Sequence, residues 1–148
     1  MKPPIDIRNE IAIPVAAEHI WNVLTDVEKW PSWYRACRWV RIESPGTDPP
    51  LTFRWKAHPV LLRSTVTASD RPRSFVITAD GFGLHADRVF TLRPNPDGLS
   101  TLVVSHETQV GLLPWLGRAI IQPRLYAANQ AMFDDLALAA GQAAKMGG

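Results

Sequence analysis

The sequence has 148 residues, with 16 Lys and Arg against 14 Asp and Glu, and its basic side chains are scattered along the chain. This pattern offers no basic stripe for a nucleic-acid partner, and no apolar run approaches the roughly 20 residues of a membrane-spanning helix. The single cysteine, Cys37, excludes an internal disulfide and fits a reducing compartment. The length suits one domain over residues 1–148, and we expect a cytoplasmic protein.

The first part of the chain predicts a strand followed by two short helices. Isoleucines alternate with charged residues over 5–13, which is typical of a strand with one buried face, and Asn9 falls on that face. Apolar residues at helical spacing predict a helix over 16–26. The aromatic segment 27–34, broken by Pro31, predicts a second short helix or turn.

From residue 39 onward the apolar residues recur with a period of two, which predicts about six further strands. These segments are 39–43, 51–57, 61–69, 75–79, 84–93 and 101–110. Their short connections, rich in Pro, Gly and Asp, predict an antiparallel sheet. On the long strand over 84–93, Arg88 shares a face with Leu84 and Phe90, and His85 lies on the other face.

The last segment, 117–146, predicts a long helix because its apolar residues recur at steps of three and four. Pro123 lacks a backbone N–H, so we expect the helix to restart there and its main part to begin at Arg124. The preceding segment 111–117, GLLPWLG, predicts an apolar loop between the last strand and the helix. Strands joined by short turns and followed by one long helix indicate an α+β fold.

The order of elements and three segments resemble the SRPBCC superfamily, the helix-grip fold of START domains, polyketide cyclase/dehydrase-like proteins and the birch-pollen allergen. Residues 11–26 (IAIPVAAEHIWNVLTD) and 27–34 (VEKWPSWY) are similar to its first strand and two helices. Residues 105–116 (SHETQVGLLPWL) are similar to its last strand and the beginning of the grip helix. The resemblance implies a curved antiparallel sheet of about seven strands wrapped around a long C-terminal helix, with a deep apolar cavity between them.

Three functions follow from the resemblance. The first is a binding or carrier protein for a hydrophobic small molecule, such as a lipid, a sterol or an aromatic polyketide. The alternative is a polyketide cyclase, aromatase or dehydratase that uses acid–base residues in the same cavity without a metal or nucleotide cofactor. The second alternative is a partner-binding protein of the ATPase-chaperone activator type. In each case we expect a monomer or weak homodimer that is not embedded in a membrane and does not bind nucleic acid.

The residues restrict the chemistry to acid–base and binding groups. The four histidines, His19, His58, His85 and His106, lack metal-ligand spacing. The glycines at 81–83 lack the rest of a phosphate loop, so we expect neither metal nor cofactor. The acid–base candidates are Asn9, Arg88 and His106, each assigned to an inward strand face, whereas Glu107 and His85 fall on the alternate faces. The structural alternative is a satisfied core histidine and an arginine paired with a carboxylate.

The expected ligand contacts are the aromatic, aliphatic and polar residues of the inward strand faces and the long helix. They are Phe53, Trp55, Ile77, Leu84, Arg88, Phe90, His106, Tyr126, Asn129 and Phe133. In the segment 111–117, we expect Leu112, Leu113 and Trp115 to cover the cavity entrance and to move with ligand, with the flanking glycines as hinges. The alternative is a plug packed permanently against the core.

Overall fold

The computed structural model describes residues 2–45, 50–57 and 60–147. Its elements, in chain order, are β1 (Ile5–Ile13), α1 (Ala17–Thr25), a 3-10 turn (Val27–Lys29), α2 (Trp30–Trp33), β2 (Cys37–Ser44), β3 (Thr52–Ala57), β4 (Val60–Asp70), β5 (Ser74–Gly81), β6 (Leu84–Pro94), β7 (Thr101–Val110) and α3 (Leu112–Gly147). Most of the predicted loop at 44–50, and His58 with Pro59, lie outside the described residues.

The seven strands form one antiparallel sheet in the order β1-β7-β6-β5-β4-β3-β2. Strands β2 to β7 follow one another as a meander, and β1 completes the sheet beside β7. The sheet curves around α3, so the predicted α+β helix-grip fold is confirmed. In this register Arg88 of β6 lies opposite Glu107 of β7, and Asn9 of β1 lies opposite Ser105.

The core fills one part of the space between the concave face of the sheet and the helices. Phe53, Phe90 and Phe133 are fully buried there, together with Leu136 of α3. Both α1 and α2 contact α3. Asp135 ties the second half of α3 to the segment after α2. Its carboxylate accepts hydrogen bonds from the backbone N–H of Arg35 (3.0 Å) and from the Arg35 Nε (2.9 Å).

The long helix differs from the prediction at its beginning. It starts at Leu112 and continues without a break through Pro123, so the predicted restart at Arg124 is wrong. Pro123 and the residue four positions earlier, Ala119, are both exposed. Water can therefore hydrate the Ala119 carbonyl that the proline leaves without its helical donor, which lowers the cost of proline inside the helix. Within the described residues, no helix is long and apolar enough to cross a membrane.

Candidate ligand-binding site

A cavity of about 440 Å³ lies between the concave face of the sheet and the first half of α3. Strands β3 to β7 supply one wall, and α3 and the end of α2 supply the others. Most of the lining is aliphatic or aromatic, and a few polar groups point into it, which is the composition of a site for an apolar ligand. The side chains that line it include Trp30, Tyr34, Trp55, Leu62, Ile77, Leu84, Arg88, Phe90, Glu107, Gln109, Ile121, Arg124, Leu125, Asn129 and Met132.

An aromatic cluster forms the wall near α2. The ring of Trp30 packs edge-on against Trp55 at 5.3 Å between ring centroids, and Tyr34 lies 6.0 Å from Trp55. The indole Nε1 of Trp55 donates a 2.9 Å hydrogen bond to the buried Ser64 hydroxyl. The Trp30 indole also donates a hydrogen bond, to the Leu24 carbonyl at 2.9 Å. Because the rings pack against one another and both indoles are hydrogen-bonded, this wall has a defined shape.

Arg88 places a buried guanidinium in the cavity wall. One terminal nitrogen donates to the Ser105 hydroxyl at 3.2 Å, and the other contacts the Met132 sulfur at 3.3 Å. The guanidinium carbon lies 4.4 Å from the ring centroid of Phe90. Nε has no hydrogen-bond partner among the described residues. Since an arginine carries five N–H donors, most of its hydrogen-bonding capacity is unused by strong acceptors.

Glu107 is the carboxylate that faces Arg88, but two amides hold its oxygens. Oε1 accepts a 2.9 Å hydrogen bond from Asn129, and Oε2 accepts one of 2.9 Å from Gln109. The shortest separation between the charged groups, from Arg88 Nε to Glu107 Oε1, is 3.9 Å. The charges attract each other without forming a close ion pair, so the guanidinium remains available to an acceptor in the cavity.

Burial changes the ionisation of two groups in this wall. It lowers the pKa of Arg88, and the negative charge of Glu107 opposes that effect. Burial also raises the pKa of the Tyr34 phenol to about 12, with the nearby Arg88 charge acting in the opposite direction. Tyr34 is therefore a neutral phenol at physiological pH, able to donate a hydrogen bond, beside a cation and a carboxylate.

The structure brings six of the ten predicted ligand contacts to the cavity wall: Trp55, Ile77, Leu84, Arg88, Phe90 and Asn129. Two others, Phe53 and Phe133, are fully buried in the core instead. Tyr126 is half-exposed and lines a separate open groove between β1 and α3, together with Arg8 and Arg118. Phe53, Phe133 and Tyr126 are therefore not part of the cavity lining.

The predicted inward position of His106 is wrong. Its side chain lies on the convex face, half-exposed, with Nε2 2.5 Å from an Asp6 carboxylate oxygen. The inward residues of β7 are Thr101, Val103, Ser105, Glu107 and Gln109. The alternate set, which includes Leu102, Val104 and Val110, is the more apolar, so hydrophobic alternation favours the wrong phase. The observed phase follows from the pairing of Glu107 with Arg88 and of Ser105 with Phe90 on β6.

Asn9 is buried as predicted but joins β1 to α3 outside the cavity lining. Its Nδ2 donates to the Tyr126 carbonyl at 3.1 Å and to the Gln130 side chain at 3.0 Å. Cys37 is buried as well, and burial raises the pKa of its thiol to about 11, so it carries little thiolate. Within the described residues, no three His, Cys, Asp or Glu side chains form a group that could hold a metal ion.

The segment predicted as a covering loop belongs to α3 from Leu112 onward, and its leucine and tryptophan side chains are exposed. The exposed fractions are 66% for Leu112, 46% for Leu113 and 67% for Trp115, so the permanently packed plug is wrong. Gly111 has φ +122°, and an added Cβ would lie 2.5 Å from the Gly83 carbonyl oxygen. This close contact shows why glycine is required there, and it argues against a free hinge. Movement of the three side chains with ligand stays a prediction.

Five lining residues with polar groups were not among the predicted contacts: Tyr34, Ser64, Glu107, Gln109 and Arg124. Glu107 and Gln109 follow from β7 once its phase is known. The structure places Gln109, and not its neighbour Val110, in the cavity wall.

Comparison with known proteins gives one family match. A family model described as polyketide cyclase/dehydrase and lipid transport matches residues 4–141. Comparison with curated protein sequences finds no match.

Solved structures resemble the chain at low sequence identity. A hypothetical protein from Helicobacter pylori has a TM-score of 0.78 at 13% identity, and the match covers 93% of this chain and 89% of the Helicobacter pylori chain. An aromatase/cyclase, Zhui, from Streptomyces sp. R1128 has a TM-score of 0.75 at 15% identity, covering 93% of both chains. A START superfamily protein from Mycobacterium smegmatis has a TM-score of 0.72 at 16% identity, covering 95% and 97%. At such identities the likeness concerns the fold alone.

Proposed function

The chain belongs to the polyketide cyclase/dehydrase and lipid transport family, and on that premise we propose that it binds a hydrophobic small molecule in the cavity beneath α3, with an acceptor oxygen of the ligand at Arg88. The ligand class is a fatty acid, a sterol derivative or an aromatic polyketide that carries a carbonyl or carboxylate. The lone free cysteine supports a reducing, cytoplasmic location for this binding or carrier protein.

The observation that carries the proposal is the state of Arg88. A buried cation is costly unless it is paired and hydrogen-bonded, and here the facing carboxylate, 3.9 Å away, also accepts hydrogen bonds from Asn129 and Gln109. A ligand oxygen in the cavity would supply an acceptor for the guanidinium, whose terminal nitrogens contact the Ser105 hydroxyl and the Met132 sulfur. The apolar walls would bury the rest of the molecule, and a volume of about 440 Å³ lies within the range of ligand pockets in proteins.

A matched pair of ligands tests the proposal. An environment-sensitive apolar dye is bound in the cavity and then displaced by a fatty acid or by the alcohol of equal chain length. We expect the acid to bind more tightly than the alcohol. Arg88→Met should weaken binding of the acid by about ten-fold or more, as for the loss of a hydrogen bond to a charged group. Binding of the alcohol should change little.

The control is His106→Gln, since His106 lies on the convex face. It should leave both affinities unchanged. Absence of saturable dye binding by the folded protein would contradict the cavity proposal. Saturable binding with no preference for the acid would contradict the role of Arg88 alone.

A second candidate function, cyclisation of a polyketide, is favoured by the meeting of Tyr34, Arg88 and Glu107 in one wall. An aldol closure needs a base to remove an α-proton, a cation beside the enolate oxygen and an acid to protonate the new alkoxide. Glu107, Arg88 and the neutral Tyr34 phenol have the chemical properties for these three steps in that order.

A linear β-polyketone presented as a small thioester tests this second function. We expect the protein to accelerate ring closure, followed by absorbance and by mass, and Tyr34→Phe to slow it by about a hundred-fold, within the range of general acid catalysis. The same variant should retain dye binding, since only the hydroxyl is removed. If ring closure is no faster with the protein than in buffer, the cyclase function is contradicted and the binding proposal is unaffected.

A further inference from the structure

The two halves of α3 differ on the side that faces away from the sheet. In the second half, that side mixes the polar residues Asp134, Gln142 and Lys145 with two apolar residues that are far apart, Leu138 and Met146. In the first half, the exposed side carries large apolar residues, with Leu116 68% exposed and Ile120 62% exposed. Because the inward side of the same turns is apolar too, the helix begins with about four turns that are apolar nearly all round. Such a helix is normally covered on every side.

The tip of the β5–β6 hairpin extends this exposed surface. Phe82 is 95% exposed. The backbone beside it is held to the beginning of α3, since the Leu113 N–H donates a 3.0 Å hydrogen bond to the Gly83 carbonyl. Gly111 packs against the same carbonyl. The hairpin tip and the helix therefore form one continuous surface, which we call the mouth patch: Phe82, Leu112, Leu113, Trp115, Leu116 and Ile120.

The mouth patch borders the cavity. Ile120 belongs to both, since it lines the cavity and is also exposed. The next turn of α3 contributes Ile121, Arg124 and Leu125 to the cavity wall. A molecule that leaves the cavity beside Ile120 would thus emerge onto an apolar surface rather than into water. Exposed apolar patches of this kind in water-soluble folds mark interaction sites.

The charges around the mouth patch select among possible occupants. Residues 112–133 include no Asp or Glu, and they carry two charged side chains. Arg118 lines the groove beside β1 with Arg8 and Asp6, and Arg124 lines the cavity. A second copy of the chain would bring the like charges of two such helices together. The nearest acidic groups on the hairpin, Asp80 and Asp87, are on the convex face, where each carboxylate lies within hydrogen-bonding distance of His85. An anionic, apolar occupant complements this surface.

We propose that the mouth patch docks on the surface of an anionic lipid bilayer, with the first four turns of α3 lying in the interface. Leucine, isoleucine, tryptophan and phenylalanine side chains enter the boundary between headgroups and acyl chains, and the two arginines contact lipid phosphates. The cavity then opens toward the lipid, so a hydrophobic ligand passes between cavity and bilayer without crossing water. Docking itself is independent of the proposed function, which supplies only the identity of the cargo.

The test measures binding of the full chain to phosphatidylcholine vesicles with and without phosphatidylglycerol, by flotation. We expect the wild type to float with the anionic vesicles. The double variant Phe82→Glu/Leu116→Glu should weaken binding by about ten-fold or more, because two carboxylates enter the interface. The matched control, Leu99→Glu/Leu138→Glu, replaces two residues that are 72% and 70% exposed outside the mouth patch. It should change vesicle binding by less than about two-fold.

Arg118→Gln tests the electrostatic contribution and should weaken binding to anionic vesicles by about five-fold at low salt. Dye binding in solution should be the same in all variants and the wild type, which shows that the cavity and the fold are intact. If the wild type does not bind the dye but does bind anionic vesicles, the proposed function is contradicted and the docking proposal stands.

Any of three results would overturn the docking proposal, two from vesicle binding and one from the oligomeric state. The first two are failure of the wild type to bind anionic vesicles and equal binding by the double variant and the control. The third is a wild-type dimer by light scattering that the double variant converts to a monomer, which would identify a second copy as the occupant.

Discussion

The two faces of β6 and β7 carry similar charged groups in opposite surroundings. On the concave face, Arg88 and Glu107 are buried, held 3.9 Å apart, and embedded among amides and aromatic rings. On the convex face, His106 lies against Asp6 in a pair whose side chains are both more than half exposed. Because water solvates the outer pair and little reaches the inner one, we expect the same kind of substitution to have very different effects on the two faces.

This contrast indicates which charged groups of β6 and β7 could contact a ligand. Glu107 and His106 are adjacent in the chain, and the strand sends one to the cavity and the other to solvent. Charged residues at the surface need no function, whereas a buried cation with an unused donor needs an explanation. The position of Arg88 within the cavity wall is therefore more informative than the presence of titratable residues in the strand.

The largest expected effect is on the inner face. Glu107→Gln keeps the side-chain shape but removes the negative charge that compensates the positive charge of Arg88. The guanidinium is then buried without a counter-charge. We expect the free energy of unfolding to fall by about 3 kcal/mol, as when one partner of a buried pair is removed. Urea denaturation followed by circular dichroism measures it.

The matched outer substitution is Asp6→Asn, which removes the charge beside His106. It should lower the free energy of unfolding by less than about 1 kcal/mol, because the pair is exposed. The double variant Glu107→Gln/Arg88→Met should lose less than the sum of its single substitutions, since the isolated cation is gone. Equal losses on the two faces would contradict the contrast.

The fold could be predicted because its signals are local. Alternating isoleucines gave β1, and the bounds of β7 agree with the apolar and β-branched pattern that precedes Gly111. The turns between strands are marked by proline and glycine, and the meander then follows from short connections. The start of α3 differs from the prediction because Pro114 and the two glycines are typical of a loop. Gly111 precedes the helix, and Pro114 lies in its first turn, where a backbone N–H has no helical acceptor.

The site was only partly predictable, because polar residues face inward where ordinary alternation would place apolar ones. β7 buries Ser105, Glu107 and Gln109, so the apolar pattern favoured the opposite phase and assigned His106 to the cavity. A strand that lines a functional cavity departs from the rule on which face prediction depends. Arg88 was assigned correctly because its neighbours Ala86 and Phe90 on β6 keep that rule.

The smallest expected effect concerns His85, on the convex face. Its Nδ1 lies 2.6 Å from an Asp80 oxygen, and its Nε2 lies 3.2 Å from an Asp87 oxygen. The hydrogen bond to Asp80 is the main cause that raises the pKa of His85 above its ordinary value of 6.5, and the charge of Asp87 adds to it. A raised pKa means that the folded state binds the proton more tightly. This stabilisation is therefore complete below pH 6.5 and is lost as the pH rises through the pKa of the folded state.

NMR titration of the histidine ring protons measures this shift, with His85→Gln to assign the signal. Asp80→Asn should lower the pKa of His85 toward 6.5, because it removes the largest cause of the shift. Added salt should lower it partway too, since the ring and both carboxylates are exposed enough for ions to screen them. The pKa of Tyr34, raised to about 12 by burial, should respond much less to salt. A His85 pKa at or below 6.5 in the wild type would contradict the assigned pairing, and equal salt responses of the two groups would remove the distinction between the faces.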